Sequence, residues 1–333
     1  MGRGRLKISL DLGESEKDPA RFRDCAKLAD KLGFDAAWLG DHFLPWIHSA
    51  DRSAFVWSLI GCCLEATKKI KLGPLVSTPI GGRYHPAMVA QASATLDNMY
   101  PGRLLIAVGT GEAMNEVPFL GKWPPWAERI DRLIEGVTLI RRFWNSPSYF
   151  DFEGTYFKMK QVYLYTKPKT DLQICFSGDG PKSARIAGQY GDHLITESSM
   201  NPLERCKGII FPAFDGGASI ARKNPDAMEK IVALNFTLAD ERIFLKKTRK
   251  AAAVVTSAGL GEPDPRKIEQ MGTQVSDDDL LKRIYFCSTW TDVIDLISKF
   301  QEIGATQVIL PSGPDLRLIR DYAKRILSHF KRK

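Results

Sequence analysis

The chain has 333 residues, 44% hydrophobic and 26% charged, enough to bury a full-sized core and too evenly mixed for a disordered chain. It contains no run of about 18 apolar residues, which excludes a membrane-spanning helix. Met1–Lys7 lacks the apolar segment of a secretory leader, so a cytoplasmic protein is expected. The net charge of +8 suits an anionic small ligand, but basic residues do not interleave with aromatics in a stripe, so no nucleic-acid partner is expected.

Strand-like and helix-like segments alternate from the start. Leu6–Leu12 alternates as a strand, and Pro19–Leu32 places Phe22, Cys25, Ala26, Leu28 and Ala29 on one helical face. Phe34–Gly40 and Ile70–Val76 read as the second and third strands, with helices over Ala54–Thr67 and His85–Met99. Arg103–Gly109 is almost wholly apolar, as a strand buried on both faces must be, and Trp126–Trp144 is a long amphipathic helix. Aromatic-rich alternation over Tyr149–Leu164 predicts an inserted β-hairpin.

The repeat resumes with strand Leu172–Phe176, helix Pro181–Tyr190, strand His193–Thr196 and a helix around Pro202–Phe214. Ile231–Leu238 is the seventh strand, and Thr306–Leu310 the eighth, before a last helix over Pro314–Phe330. The polar run Gly259–Gln274 reads as a surface loop or lid with helices on either side. Eight βα units without a linker predict one closed (β/α)8 TIM barrel over residues 1–333, not two doubly wound domains. The six cysteines have no CxxC and no metal-ligand spacing with histidine, so they read as reduced core residues and no metal is expected.

Active sites of such barrels lie at the carboxyl ends of the strands. The second strand runs into Asp41-His42-Phe43-Leu44-Pro45-Trp46. An imidazole there can exchange a proton near neutral pH, and the Trp46 N–H can hold a substrate oxygen, though both residues would serve equally to pack a loop. The fourth strand ends in Gly109-Thr110-Gly111-Glu112, where glycines let a flat ring approach the backbone and Glu112 and Asn115 can reach its polar atoms. The same letters imitate a GxGxxG dinucleotide fingerprint, but Met114 occupies the third glycine position, and three βα units precede it. The fifth strand ends in Ser177-Gly178-Asp179-Gly180-Pro181-Lys182, either a phosphate cradle at a helix N-terminus or an ordinary turn with proline at the first helical position.

On Asp41-His42-Phe43 with Trp46, Pro86 through Leu96, Tyr100-Pro-Gly-Arg103 and Gly109 through Glu116, the chain resembles the coenzyme F420-dependent branch of the luciferase-like superfamily. The likeness spans about Leu6 to Leu310. Within that branch it is most similar to the secondary-alcohol dehydrogenases, through Glu112–Pro118, Gly121–Pro124, Ser177–Lys182 and Tyr190–Leu194, and next to the glucose-6-phosphate dehydrogenases. The resemblance implies a homodimeric oxidoreductase moving a hydride between a small alcohol or ketone and the deazaflavin of F420. An FMN-dependent monooxygenase on the same barrel is the alternative.

The resemblance also implies roles. His42 would remove the alcohol proton, Trp46 would hold the oxygen and stabilise the resulting charge, and Glu112 would lie near the deazaflavin N1 and help protonate the reduced ring or polarise the site. Asp41, Asn115, Gly109, Thr110, Gly111 and Thr78 would contact the cofactor. Leu75-Val76 falls where the family has a bulge with a non-proline cis peptide, and Ser177, Gly178, Asp179, Gly180, Pro181 and Lys182 would take the cofactor phosphate. Thr196, Asn235 and Arg283 fall on the substrate side. The sugar-phosphate enzymes use two lysines and an arginine; here only Arg283 remains, with Ser199 and Gly259 at the lysine positions, which disfavours glucose 6-phosphate.

Overall fold

The computed structural model describes residues 5–13 and 18–331; residues 1–4, 14–17 and 332–333 lie outside them, and with them part of the segment expected to lack a leader and the end of the basic tail. Eight parallel strands form the barrel: β1 Lys7–Asp11, β2 Ala36–Gly40, β3 Lys71–Leu75, β4 Ile106–Val108, β5 Ile174–Ser177, β6 His193–Glu197, β7 Lys230–Ala233 and β8 Gln307–Pro311. β1 pairs with β2 and β8, and the order runs on through β7, β6 and β5 to β4. The last seam, β3 to β4, is made by two isolated bridges, Leu72 to Leu104 and Ser77 to Val108. The expected (β/α)8 TIM barrel is therefore the observed fold.

The chain between those bridges bulges, and its Leu75–Val76 peptide is cis. Gly73 makes the seam possible: a Cβ there would lie 2.5 Å from the Leu105 carbonyl oxygen, so any side chain would push β3 off β4. Inside the barrel, Trp38, Ala107, Cys175, Ile195, Ile231 and Ile309 fill the axis. Outside, the strands' other faces meet the helices; helix Ala20–Leu32 buries Phe22, Cys25, Ala26 and Ala29 of the face expected from spacing, with Leu28 only partly buried, and ends at Gly33 with φ +86°. Complete burial of one such side chain as Phe22 contributes about 2–3 kcal/mol.

The inserted hairpin is Phe150–Glu153 paired antiparallel with Lys158–Val162. Its turn is tied to the barrel by the Glu135 carboxylate, which accepts the N–H groups of Thr155, Tyr156 and Phe157. Of the cysteines, all unbridged, Cys62 is exposed instead of buried.

Three segments differ from the sequence expectation. The seventh strand stops at Ala233 because Asn235 turns its N–H to Ser198 Oγ (2.7 Å), and Phe236–Thr237 then pairs outside the barrel with Tyr285–Phe286. The run expected as loop over Gly259–Gln274 contains helix Pro265–Gly272, capped by Asp264 and anchored by buried Ile268. A helix also forms at Ala113–Leu120, despite Pro118, because Met114 buries against Ala253 and Ile268 of the late insertion. No helix among the described residues is long and apolar enough to cross a membrane.

Candidate active site

The carboxyl ends of the strands open into a cavity of about 380 Å³, within the usual range for small-ligand sites. One wall begins with Asp41, which follows β2 and is fully buried at its side chain. Its Oδ1 accepts from Arg83 Nη1 (2.8 Å) and Tyr84 OH (2.9 Å), and its Oδ2 from Ser77 Oγ (2.5 Å). All three partners follow the bulge of β3 in the chain, so this carboxylate fixes the end of β2 against it.

His42 is held next. Its Nδ1 lies 3.0 Å from Asn115 Nδ2, and its ring sits 4.9 Å from that of Trp46. Asn115 is itself fixed: its Oδ1 accepts the Phe43 N–H at 2.8 Å, and its Nδ2 donates to Glu112 Oε2 at 3.1 Å. Burial, aided by the Arg83 cation, pushes the His42 pKa down to about 3, so the ring is neutral at physiological pH. Trp46 also packs on the Met114, Ala253 and Ile268 cluster, so its packing role is real beside any contact with substrate.

Glu112 lines the cavity, and its desolvation raises its pKa, opposed chiefly by the Asn115 hydrogen bond. Behind it, buried Glu116 is pushed up to about 8, mainly by desolvation. Its Oε2 accepts the Arg83 N–H at 3.1 Å, and its Oε1 has no hydrogen-bond partner among the described residues. Gly82 leaves room for it: a Cβ there would lie 2.0 Å from Oε2.

The cavity floor fits a flat ring. A Cβ at Gly109 would lie 2.7 Å from Val76 Cγ2, and one at Gly111 (φ +72°) 2.7 Å from Thr78 Cγ2, so the Gly109–Gly111 backbone stays bare beside Leu75 and Val76. The far wall is acidic. Asp11 ends β1, Glu197 ends β6, and Asp179 follows β5. Asp179 Oδ1 accepts from Thr196 Oγ1 (2.8 Å), the Glu197 N–H (2.9 Å) and Asn201 Nδ2 (3.2 Å). Desolvation, with Asp179 and Asp11 nearby, pushes Glu197 up to about 7. The roof is apolar, from Met200, Val254, Val255 and Leu260.

Of the residues singled out from sequence, His42, Trp46, Leu75, Val76, Gly109, Thr110, Gly111, Glu112, Ser177, Asp179 and Asn235 line this one cavity. Asp41, Thr78 and Asn115 stand one layer behind it, and Thr196 is occupied by Asp179. At the fifth-strand turn, Gly178 packs on Leu194 and Ala184, and the Gly180 N–H goes to Ser183 Oγ at 3.0 Å. Pro181 and Lys182 border a separate outer depression with Trp126 and Arg185. Arg283 is not brought into the cavity; its Nη1 donates to Ser199 O at 3.2 Å, behind the Ser199–Met200 wall. Sequence reasoning passed over Asp11 and Glu197, although each is an acid closing an apolar strand, and over Arg83 and Glu116, whose role exists only through tertiary contact.

The luciferase-like monooxygenase family model matches residues 6–307. The F420-dependent glucose-6-phosphate dehydrogenases of Intrasporangium calvum and Mycolicibacterium gilvum are each 31% identical, over 97% and 98% of this chain and 98% of theirs. Among solved structures, an F420-dependent secondary alcohol dehydrogenase in complex with an F420–acetone adduct is similar with TM-score 0.89 and 34% identity, covering 98% of this chain and 99% of that one. The coenzyme F420-dependent tetrahydromethanopterin reductase of Methanopyrus kandleri shares the fold, with TM-score 0.76, 22% identity and coverage of 98% and 100%. With the barrel, the β3 bulge and a match along nearly the whole chain in agreement, the chain belongs to the luciferase-like monooxygenase family.

Proposed function

We propose that this chain is an F420-dependent oxidoreductase that interconverts an uncharged secondary or sugar-like alcohol and its carbonyl form. The observation that carries this reading is one cavity in which His42, Trp46 and Glu112 face a bare Gly109–Gly111 backbone and the bulge at Leu75–Val76. When bound, the cofactor supplies the redox chemistry, exchanging a hydride at the deazaflavin C5. Leu75, Val76, Gly109, Thr110 and Gly111 would seat the ring, with Asp41, Thr78 and Asn115 supporting them. Ser177 and the turn to Lys182 would lie along the cofactor's phosphate arm. His42, Trp46 and Glu112 handle the substrate oxygen and its proton, with Asn235 and the apolar roof around the carbon skeleton and Thr196 acting through Asp179.

The charge of the cavity supports an uncharged substrate. Asp11, Glu112, Asp179 and Glu197 line it, and no lysine or arginine does among the described residues. A phosphate dianion would face this wall with Arg283 engaged elsewhere, so the sugar phosphates named for the sequence relatives suit the site poorly. We expect a homodimer in solution, which light scattering would read. The function is tested by adding a panel of uncharged alcohols, and glucose 6-phosphate beside them, to the protein with F420 and following the cofactor's fluorescence. Loss of fluorescence with an uncharged alcohol supports the reading; a response to glucose 6-phosphate alone contradicts it.

A further inference from the structure

We infer that His42 serves the reaction as a fixed hydrogen-bond donor through Nε2, and that Glu112 is the group that exchanges the substrate's hydroxyl proton. The inference rests on the alcohol–carbonyl reading above, and it reassigns both the base role that the family resemblance implies for His42 and the ring-protonating role it implies for Glu112.

Asn115 fixes where the His42 proton sits. The Phe43 N–H donates to one end of its amide at 2.8 Å, so that end is the oxygen. The other end carries two protons and meets two acceptors, Glu112 Oε2 at 3.1 Å and a ring nitrogen of His42, Nδ1, at 3.0 Å. Turning the amide over would set N–H against N–H at Phe43 and oxygen against carboxylate at Glu112. Nδ1 therefore accepts, and a neutral imidazole with its lone pair at Nδ1 carries its single proton on Nε2. A doubly protonated ring would set Nδ1–H against the Asn115 amide protons, and burial and Arg83 oppose that charge.

His42 lines the cavity, and Nε2 makes no hydrogen bond to the described residues. What it offers there is an N–H. A base needs a lone pair at that position, and this tautomer has none. Glu112 lines the same cavity with a carboxylate that Asn115 orients.

In oxidation, the carbinol C–H bond breaks and leaves with its electron pair as hydride to the cofactor. The O–H proton passes to the Glu112 carboxylate as the C=O bond forms. In reduction, Glu112 returns the proton to oxygen as hydride arrives at carbon. In both directions His42 Nε2–H donates to the oxygen and stabilises its developing negative charge, with no change in its own protonation.

The test combines a spectrum with variants of the F420-loaded enzyme. In a histidine-labelled nitrogen-15 spectrum, with His42 assigned by its disappearance in His42→Gln, we expect a protonated Nε2 and an unprotonated Nδ1. His42→Gln keeps an N–H donor and loses any base, so its kcat should stay at least about tenfold above that of His42→Ala. Glu112→Gln should lose about a thousandfold in kcat, with F420 affinity unchanged within a few-fold to show an intact site. A ring protonated at Nδ1, or His42→Gln as inactive as His42→Ala while Glu112→Gln still turns over, overturns the inference. The spectrum needs no substrate, so failure of every alcohol would sink the proposed function without deciding the state of His42.

Discussion

Arg83 Nη1 and Asp41 Oδ1 meet at 2.8 Å with side chains 7% and 0% exposed, and this buried pair ties the end of β2 to the segment beyond the β3 bulge. The guanidinium also lies 4.9 Å from the centroid of the Tyr84 ring. Arg83→Met would leave Asp41 with only the Ser77 and Tyr84 hydroxyls. We expect a loss of roughly 3–5 kcal/mol in urea unfolding, because removing one partner strands a buried charge. Asp41→Asn in the same chain should recover part of it; full stability in the single variant would contradict the pair's role.

Glu116 makes stability depend on pH. Folded, it keeps its proton up to about pH 8; its ordinary value is 4.5, where the unfolded chain releases it. Between those values the folded state binds more protons, so stability falls as pH rises and levels off above about 8. Glu116→Gln removes this slope. Thermal unfolding should therefore show the variant gaining on the parent at pH 8 relative to pH 5; parallel curves would place the ionisation elsewhere.

Much of this architecture was legible in the sequence because its signals are local. All-apolar strands such as Ile106–Val108 and helix faces such as Phe22, Cys25 and Ala26 carry their period in the chain. The strand-end rule found His42, Glu112 and the Gly109–Gly111 loop. It did not find the acidic wall, because Asp11 and Glu197 are single acids whose meaning comes from lining one cavity together once the barrel closes. The break at Asn235 rests on a hydrogen bond to Ser198 from a neighbouring segment, and helix Ala113–Leu120 on burial against the insertion, so neither could be read from nearby residues.

The bare backbone of the ring seat gives a third prediction. Gly109→Ala brings a Cβ to 2.7 Å from Val76 Cγ2, forcing the bulge to shift under the cofactor. Fluorescence titration should show F420 binding weakened by at least about tenfold, or about 1.4 kcal/mol, with little change in thermal unfolding. Undiminished affinity would mean that the ring sits elsewhere.

The acidic wall gives a fourth. At about pH 8.5, above the raised Glu197 value of about 7, Glu197→Gln removes one of the negative charges that line the cavity. Inhibition by phosphorylated alcohols should strengthen by about three- to tenfold, with the KM of an uncharged alcohol changing less than about twofold. Equal effects on both classes would show that the wall does not select by charge.

The central claim is the cofactor, and direct binding tests it best. Titration of the protein with F420, and separately with FMN, should show saturable micromolar or tighter binding of F420 that is lost or strongly weakened in Gly109→Ala, with FMN binding far weaker. Tight FMN binding without F420 binding would contradict the account and make the chain a flavin enzyme on the same barrel.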